Sequence, residues 1–213
     1  MLGSAGSWDV LLFDFDGVLA DSEPVHHKAW NQTLKPLGIQ LDWDDYRKHF
    51  VGISDEIALR DRLGIRQDGE ALVAQKQELF RQGLAAAQPF LPDTVQMLKD
   101  VCQSYKLAVV SSSYRSEVEP PLVRGGIRPL FQILICGEDV KHFKPSPEPY
   151  LLAAERMGAR KPLVIEDSAA GVASGRAAGF EVLQVSSVED VGREVREYLA
   201  GNPQDRELKR PER

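Results

Sequence analysis

Five short apolar runs, interleaved with helical stretches, are the feature that most constrains this fold. The runs are VLLFDF (10–15), LAVVS (107–111), FQILIC (131–136), PLVIED (162–167) and EVLQV (181–185). Apolar residues that follow one another without alternation are typical of strands covered on both faces. Amphipathic stretches near 93–104, 114–124, 147–157, 169–178 and 188–199 predict helices. This alternation predicts an α/β fold with a Rossmann-like parallel sheet.

The segment after the first run breaks this rhythm. From Glu23 to Gln88 the sequence has a helical pattern and no convincing strand. Gly38 and Gly64 stand where two helices would end, and Ser54 stands where one would begin. We therefore predict a helical cap over residues 21–90, inserted after the first strand into an α/β core formed by residues 1–20 and 91–200. Linkers near 20–23 and 88–92 could act as a hinge, and residues 201–213 are expected to form a flexible tail.

Composition limits the partners. The 213 residues carry a net charge of −6, which disfavours non-specific binding to nucleic acid or to an anionic membrane. No apolar run approaches the roughly 18 residues of a membrane span, and the first residues lack a signal-peptide pattern. Cys102 and Cys136 are far apart in or beside apolar segments, so we expect free thiols and a cytoplasmic protein. Without a long heptad pattern, a monomer is expected.

Polar residues gather after four of the predicted strands, at the edge where open α/β sheets bind ligands. They are Asp14 and Asp16 after the first strand, Ser111, Ser112 and Ser113 after the second, Lys144 after the third, and Glu166 and Asp167 after the fourth. Taken singly, each has a structural alternative: a polar turn, a helix N-cap or a solvated lysine. Their coincidence at one edge favours a site.

These residue types suit phosphoryl transfer. Clustered carboxylates repel one another unless a cation lies among them, and all-oxygen ligation favours Mg²⁺. An aspartate can act as the nucleophile and form an aspartyl phosphate. A second carboxylic acid can protonate the leaving oxygen and then deprotonate water. A lysine and serine hydroxyls can bind the phosphoryl oxygens. The sequence therefore predicts phosphoryl transfer at this edge of the sheet, with Mg²⁺ as cofactor.

The same residues resemble the motifs of the haloacid dehalogenase-like hydrolase superfamily. The stretch Asp14-Phe15-Asp16-Gly17-Val18, followed by Asp21-Ser22-Glu23-Pro24, is similar to the first motif. The second, third and fourth motifs are matched by Ser111, by Lys144 with Pro145 and Pro147, and by Glu166-Asp167-Ser168-x-x-Gly171. The resemblance runs from about Val10 to Val185. The helical segment resembles the small cap of the β-phosphoglucomutase-like branch, which contains many sugar-phosphate phosphatases.

The resemblance implies a role for each residue. Asp14 would be the nucleophile and Asp16 the general acid and base, while Ser111 and Lys144 would hold the phosphoryl group with help from backbone N–H groups near Phe15 and Ser112. The Mg²⁺ ligands would be Asp14, the backbone carbonyl of Asp16, Asp167, and Glu166 as a ligand or a supporting neighbour. His26 and Arg115 are further candidates for substrate binding, with exposed helix positions as the alternative.

Two residues bear on the choice of activity. Dehalogenases of the superfamily lack the second aspartate, so Asp16 favours phosphate chemistry. In the mutase an arginine follows the serine of the cap loop and binds the distal phosphate, whereas here Asp55 follows Ser54 and would repel it. We predict a phosphatase acting on a sugar phosphate-like metabolite. A β-phosphoglucomutase-like phosphomutase is the alternative, and a non-catalytic binding protein on the same fold is a further one.

Overall fold

A single parallel sheet forms the centre of the molecule. The computed structural model describes residues 8–51, 53–66 and 68–201. Within them the strands are β1 (Val10–Phe13), β2 (Lys106–Val110), β3 (Phe131–Ile135), β4 (Pro162–Glu166) and β5 (Glu181–Gln184). Their order across the sheet is β3-β2-β1-β4-β5, and every pairing is parallel. The predicted α/β, Rossmann-like fold is confirmed.

The central strand explains why its sequence is apolar without alternation. Val10 pairs with Lys106 on one side and with Pro162 on the other, so β1 has neighbours along both edges. Leu11 and Phe13 belong to the hydrophobic cluster on one face of the sheet, and Leu12 belongs to the cluster on the other face. Because both faces are buried, no position along β1 can be polar until the strand ends at Asp14.

Five helices cover the two faces of the sheet. They are α5 (Pro92–Val101), α6 (Arg115–Arg124), α7 (Glu148–Met157), α8 (Ala169–Ala177) and α9 (Val191–Gly201). Buried side chains of α5, α6 and α9 join the cluster that contains Phe13. Tyr150 and Ala153 of α7 join the cluster that contains Leu12. The sheet is thus enclosed from both sides and open only at its edges and strand ends.

The segment between β1 and α5 is helical and has a hydrophobic cluster of its own. It contains α1 (Glu23–Leu34) with a 3₁₀ turn (Lys35–Leu37), α2 (Trp43–His49), α3 (Asp55–Ile57) continued by a π-helical turn (Ala58–Arg62), and α4 (Gly69–Ala86). Its cluster is built around Trp30, Leu34, Phe50 and Leu59. We refer to α1–α4 as the cap. The predicted end at Gly38 and start at Ser54 are both found, but α2 was not singled out from the sequence.

Several expectations concern the ends and the cysteines. Residues 1–7 and 202–213, which hold nearly all of the expected tail, lie outside the described residues. In the part of the chain that is described, none of the helices has the length and apolar character needed to cross a membrane. Cys102 and Cys136 are both free thiols, as predicted.

Candidate active site

The predicted site residues meet at the carboxyl ends of the strands, in a cavity between the core and the cap. The cavity is lined from the core by Asp14, Asp16, Ser112, Ser113, Tyr114, Glu117, Lys144, Asp167 and Ser168, and from the cap by Glu23, His26, Trp30, Tyr46, Phe50, Val51, Ile53, Ser54 and Asp55. Ser111 and Glu166 are buried directly beside these residues at the ends of β2 and β4. The topology therefore brings together most of the residues that the sequence indicated.

Lys144 connects two of the carboxylates. The residue is 1% exposed, and its ammonium group donates hydrogen bonds to Asp14 Oδ1 at 2.7 Å, to Glu166 Oε1 at 2.6 Å and to the carbonyl of Val110 at 2.8 Å. Burial disfavours its charged form, but the negative charges of Asp14 and Glu166 outweigh that effect and raise the pKa of Lys144. A fixed positive charge therefore lies against the first carboxylate of the motif.

Glu166 is fully enclosed by donors. Oε1 accepts from Lys144 and from the hydroxyl of Tyr150 at 2.7 Å, while Oε2 accepts from the Ser168 hydroxyl at 3.1 Å. A Cβ at Gly171 would lie 1.7 Å from Glu166 Oε1, so only glycine leaves room for this carboxylate. The structure thus gives Glu166 the surroundings of a supporting group.

Asp167 has the opposite surroundings. Its Oδ1 is buried and has no hydrogen-bond partner among the described residues. Burial and the neighbouring charge of Glu166 raise the pKa of Asp167 to about 7, and the same two causes raise the pKa of Asp14 well above its usual range despite Lys144. An unpaired buried carboxylate oxygen of this kind is costly unless a ligand completes it.

The acidic cluster fits a divalent cation. Carboxylate oxygens of Asp14, Glu166 and Asp167 lie within 4.8 Å of one another. A cation placed there would pair with the unpartnered oxygen of Asp167 and offset the repulsion among the three groups. Oxygen-only donors are the set that Mg²⁺ prefers, so the residues present are compatible with the predicted metal.

Asp16 is held as a carboxylate. The Ser22 hydroxyl donates to Oδ1 at 2.5 Å, the Ser113 hydroxyl donates to Oδ2 at 2.7 Å, and His26 Nε2 lies 3.1 Å from Oδ1. Burial alone would raise the pKa of Asp16, but His26, followed by the two hydroxyls, lowers it below its usual range. Asp16 in this arrangement is therefore charged, and it must take up a proton before it can act as a general acid.

The structure separates the two adjacent histidines. His26 lines the cavity, contacts Asp16, and stacks on Phe80 with ring centroids 3.7 Å apart. His27 points elsewhere and contacts the carbonyl of Leu41 at 2.9 Å. Of the pair, only His26 belongs to the site, and its described polar contact is with Asp16.

The three serines after β2 have different surroundings. Ser111 Oγ accepts from the backbone N–H of Ser113 at 2.9 Å and so shapes the loop. The hydroxyl of Ser112, which lines the cavity, is buried and has no hydrogen-bond partner among the described residues. The sequence predicted that Ser112 helps to bind the phosphoryl group. An unpartnered hydroxyl at this place is available to a bound anion.

Arg115 does not come to the cavity. Its guanidinium donates to Asp139 Oδ2 at 2.7 Å and to the carbonyl of Leu134 at 3.2 Å. Its backbone N–H is bound by the carboxylate of Glu138. Because α6 begins at Arg115 and directs the side chain toward β3, its position does not support the suggested contact with substrate.

Sequence reasoning placed Ser113 at the site but missed its contact, and it missed other polar residues altogether. Ser113 holds Asp16 across 97 positions of sequence, and Glu117 lines the cavity from the first turn of α6. On the cap side, the hydroxyl of Tyr46 donates to Glu23. Glu117 had one local signal, since its carboxylate accepts from the backbone N–H of Tyr114 at 3.0 Å in a capping arrangement. The other contacts arise from tertiary packing and leave no local pattern.

These observations define the class of protein. The model of the haloacid dehalogenase-like hydrolase family matches residues 11–185, which include the whole cap and, except for Val10 at the start of β1, all five described strands. The chain belongs to this family.

Individual relatives narrow the comparison. The chain is 32% identical to the fructose-1-phosphate phosphatase YqaB of Escherichia coli over 82% of its own length and 95% of that protein. The structure of a variant of CbbY from Rhodobacter sphaeroides in complex with xylulose 1,5-bisphosphate is similar, with a TM-score of 0.74, 25% identity and coverage of 82% and 84% of the two chains. The fold is shared by β-phosphoglucomutase of Clostridium difficile, with a TM-score of 0.76, 22% identity and coverage of 90% and 99%.

Proposed function

We propose that the protein is a Mg²⁺-dependent phosphatase that hydrolyses a small, sugar phosphate-like metabolite through an aspartyl phosphate. The observation that carries the proposal is the arrangement at the end of β1. There Asp14 is bound to Lys144, and Asp16 is held by Ser22, Ser113 and His26. A nucleophile and a proton carrier separated by one residue are what a two-step phosphate transfer requires. The phosphatase name of the relative from Escherichia coli supports the same reaction.

In the first step Asp14 attacks the phosphorus atom, and the bond from phosphorus to the leaving oxygen breaks. Asp16, protonated, gives its proton to that oxygen, so the product leaves as a neutral alcohol. In the second step a water attacks the phosphorus of the aspartyl phosphate and Asp16 takes up the proton of the water. The bond between phosphorus and Asp14 then breaks, which releases inorganic phosphate and restores both aspartates.

Mg²⁺ would be held by Asp14, the backbone carbonyl of Asp16 and Asp167. Glu166 would serve as a ligand or as the group that positions Lys144. The bound cation supplies positive charge that reduces the repulsion between the carboxylates and the phosphoryl group. Lys144, Ser111 and the N–H and hydroxyl of Ser112 would bind the phosphoryl oxygens, with α6 and α8 directing their N-termini toward the same edge.

The alternatives have less support. A phosphomutase must bind a second phosphate, but the cap presents Asp55 to the cavity. A non-catalytic binding protein would have no need for Asp14, Asp16, Lys144 and Asp167 together. We further propose a cytoplasmic monomer without nucleic-acid or membrane partners, for which the net charge of −6 and the free thiols are the support.

The test is the release of inorganic phosphate from a panel that includes fructose 1-phosphate and β-glucose 1-phosphate, with Mg²⁺ and with a chelator. We expect release that depends on Mg²⁺. Conversion of β-glucose 1-phosphate to the 6-phosphate in the presence of a bisphosphate primer, with little free phosphate, would instead support the mutase. Failure of both assays in a protein that binds no Mg²⁺ would reject catalysis at this site.

A further inference from the structure

The cap end of the cavity has an unusual charge for a site that binds phosphorylated molecules. We propose that this end selects an uncharged, hydroxyl-bearing leaving group and rejects substrates that carry a second anionic group. The proposal rests on the proposed phosphatase function and specifies its substrate class. It is carried by three residues: Asp55 at the start of α3, Glu117 in the first turn of α6, and Lys76 of α4. We call Asp55 and Glu117 the acidic wall.

Glu117 brings an unused acceptor to the cavity. Its side chain is 1% exposed, it lines the cavity, and Oε2 is occupied by the backbone N–H of Tyr114. Oε1 is buried and has no hydrogen-bond partner among the described residues. A buried carboxylate oxygen without a donor is costly. A sugar or polyol hydroxyl is a donor that would complete it, whereas a phosphate or carboxylate has only acceptors to offer.

Lys76 does not make this end positive. Its Nζ lies 2.8 Å from Asp55 Oδ1 and 4.0 Å from Glu117 Oε1, and it faces the rings of Phe80 and Trp30 at 5.2 and 5.8 Å. The lysine is 1% exposed, and it is not one of the described residues that line the cavity. One ammonium group therefore faces two carboxylates, and it lies behind the surface that a substrate would touch.

Tyr114 and Glu56 add no cation at this end, and the imidazole of His26, which also lines the cavity, is paired with Asp16. The hydroxyl of Tyr114 is already donated to Glu56 at 2.7 Å, and Glu56 Oε2 is itself buried without a described partner. Trp30 and Phe50 supply apolar surface that suits the carbon skeleton of a sugar. A second phosphate or a carboxylate would lose its hydration here and meet excess negative charge. At short range and low dielectric this repulsion lowers kcat/KM roughly tenfold or more.

The relative CbbY was crystallised with a bisphosphate, so the fold itself does not exclude a second phosphate. The exclusion proposed for this chain depends on the acidic wall, and it can be removed by mutation. Asp55→Asn frees Lys76 from one of its partners, and Glu117→Gln removes the negative charge of the second while keeping the side-chain shape. Glu78→Gln is the matched control, because Glu78 lies on α4 with a side chain that is 54% exposed.

The experiment compares substrates that share a skeleton and differ in charge. We would measure kcat/KM with Mg²⁺ for 2-hydroxyethyl phosphate, phosphoglycolate and phosphoethanolamine, and for fructose 1-phosphate against fructose 1,6-bisphosphate. We expect kcat/KM for each neutral substrate to be at least ten times that for its anionic counterpart. Asp55→Asn and Glu117→Gln should narrow that ratio at least fivefold, mainly through a lower KM for the anionic substrate, and Glu78→Gln should leave it unchanged.

Each contrary result has a distinct meaning. The acidic wall would be rejected as the cause of selectivity if wild type had equal kcat/KM for neutral and anionic substrates. It would also be rejected if the ratio of these kcat/KM values stayed the same in both folded variants. Neither result would contradict the proposed phosphatase activity. A preference for phosphoethanolamine would overturn the hydroxyl assignment in favour of a cationic leaving group. If wild type released phosphate from none of these compounds and bound no Mg²⁺, the proposed function itself would fail. If variants fail to fold, the wild-type charge series still decides the question.

Discussion

Gly17 illustrates how the backbone and the chemistry of the site depend on each other. It has φ of +77°, and a Cβ there would lie 2.2 Å from Asp167 Oδ2. Glycine is therefore required at this position for two reasons: the backbone is left-handed, and the carboxylate of Asp167 occupies the space of a Cβ. Gly38 has a similar φ of +70°, but a Cβ there would meet nothing within 4 Å. The two glycines allow backbone strain and crowding of the acidic cluster to be measured separately.

We predict that Gly38→Ala costs about 1 kcal/mol of stability, from backbone strain alone, and leaves Mg²⁺ binding unchanged. Gly17→Ala should add the displacement of Asp167 to this strain and weaken Mg²⁺ binding at least about tenfold. Calorimetric titration of Mg²⁺ and denaturant unfolding of both variants are the measurements. Equal Mg²⁺ affinity in the two variants would contradict the placement of Asp167 at the metal.

Asp14→Asn tests the nucleophile. The amide keeps the shape of the side chain but cannot attack phosphorus, so kcat should fall by at least about a thousandfold. The unfolding temperature without Mg²⁺ should stay close to that of wild type, because Lys144 keeps its ion pair with Glu166 and the repulsion between Asp14 and the neighbouring carboxylates is removed. Phosphate release and a thermal melt in chelator are the two measurements.

Asp9→Asn is a suitable control for the nucleophile test. Asp9 immediately precedes β1 at the opposite end from Asp14, and its carboxylate accepts from the backbone N–H groups of Arg160 and Lys161. The variant carries the same charge change but should retain full turnover. Turnover retained by Asp14→Asn would remove the nucleophile assignment.

At the scale of elements, the strands were predictable because each is marked by a continuous run of apolar residues. The central strands β1 and β4 are buried along their whole length and so must be apolar up to the site residues at their ends, and the five predicted runs contain four or five residues each of the strands observed. The edge strand β5 is not covered on both faces as expected, since each of its residues is partly or fully exposed. The short helix α2 was missed because seven residues hold too few turns for a helical period to stand out. Its start did carry a signal, since the side chain of Asp42 accepts from the backbone N–H groups of Asp44 and Asp45.

The site could be predicted where chemistry follows a strand, and not where distant segments meet. Asp14, Asp16, Lys144 and Asp167 follow strands or their loops, so topology alone brings them together. The contact of Ser113 with Asp16 depends on the conformation of the loop after β2, and that of Lys76 with Asp55 depends on how the cap helices pack. The predicted contact of Arg115 with substrate lacks support for the converse reason. Arg115 is adjacent to the site in sequence, but the orientation of α6 directs its guanidinium toward Asp139.

The hydrophobic cluster of the cap leads to a prediction about its independence. Leu34 is 0% exposed within that cluster, whereas Leu37, three residues on, is 51% exposed. Leu34→Ala should cost about 2–4 kcal/mol of local stability, and Leu37→Ala should cost less than about 0.5 kcal/mol. Because Leu34 lies in the cluster formed by the cap alone, the loss should be confined to residues 23–86, although Phe80 and Leu84 of α4 pack in the cluster of the core.

Amide hydrogen exchange of the two leucine variants is the measurement. We expect faster exchange in α1–α4 of Leu34→Ala, with protection in β1, β2 and β4 unchanged. That result would support the predicted division into a cap over 21–90 and a core. Equal loss of protection in the strands would contradict it and make cap and core one cooperative unit.

At the scale of the whole molecule, the raised carboxyl pKa values give stability a characteristic pH dependence. Burial, together with Asp16 for Glu23 and Glu166 for Asp167, raises each pKa to about 7. Between roughly pH 4 and 7 the folded protein then keeps protons that the unfolded chain has released. The free energy of unfolding must fall as pH rises through this window. The lowered pKa of Asp16 acts in the opposite sense, but only below about pH 4.

We therefore predict that the chelated protein loses on the order of 1–3 kcal/mol of stability between pH 5 and 8. Mg²⁺ favours the charged carboxylates, so its stabilising effect should be larger at pH 8 than at pH 5. Urea unfolding across this range, with chelator and with Mg²⁺, measures both effects, and Asp167→Asn should flatten the curve in chelator. A stability that is constant or rises between pH 5 and 7 without metal would contradict the electrostatics described for the acidic cluster. It would also remove the physical reason to place a cation beside Asp167.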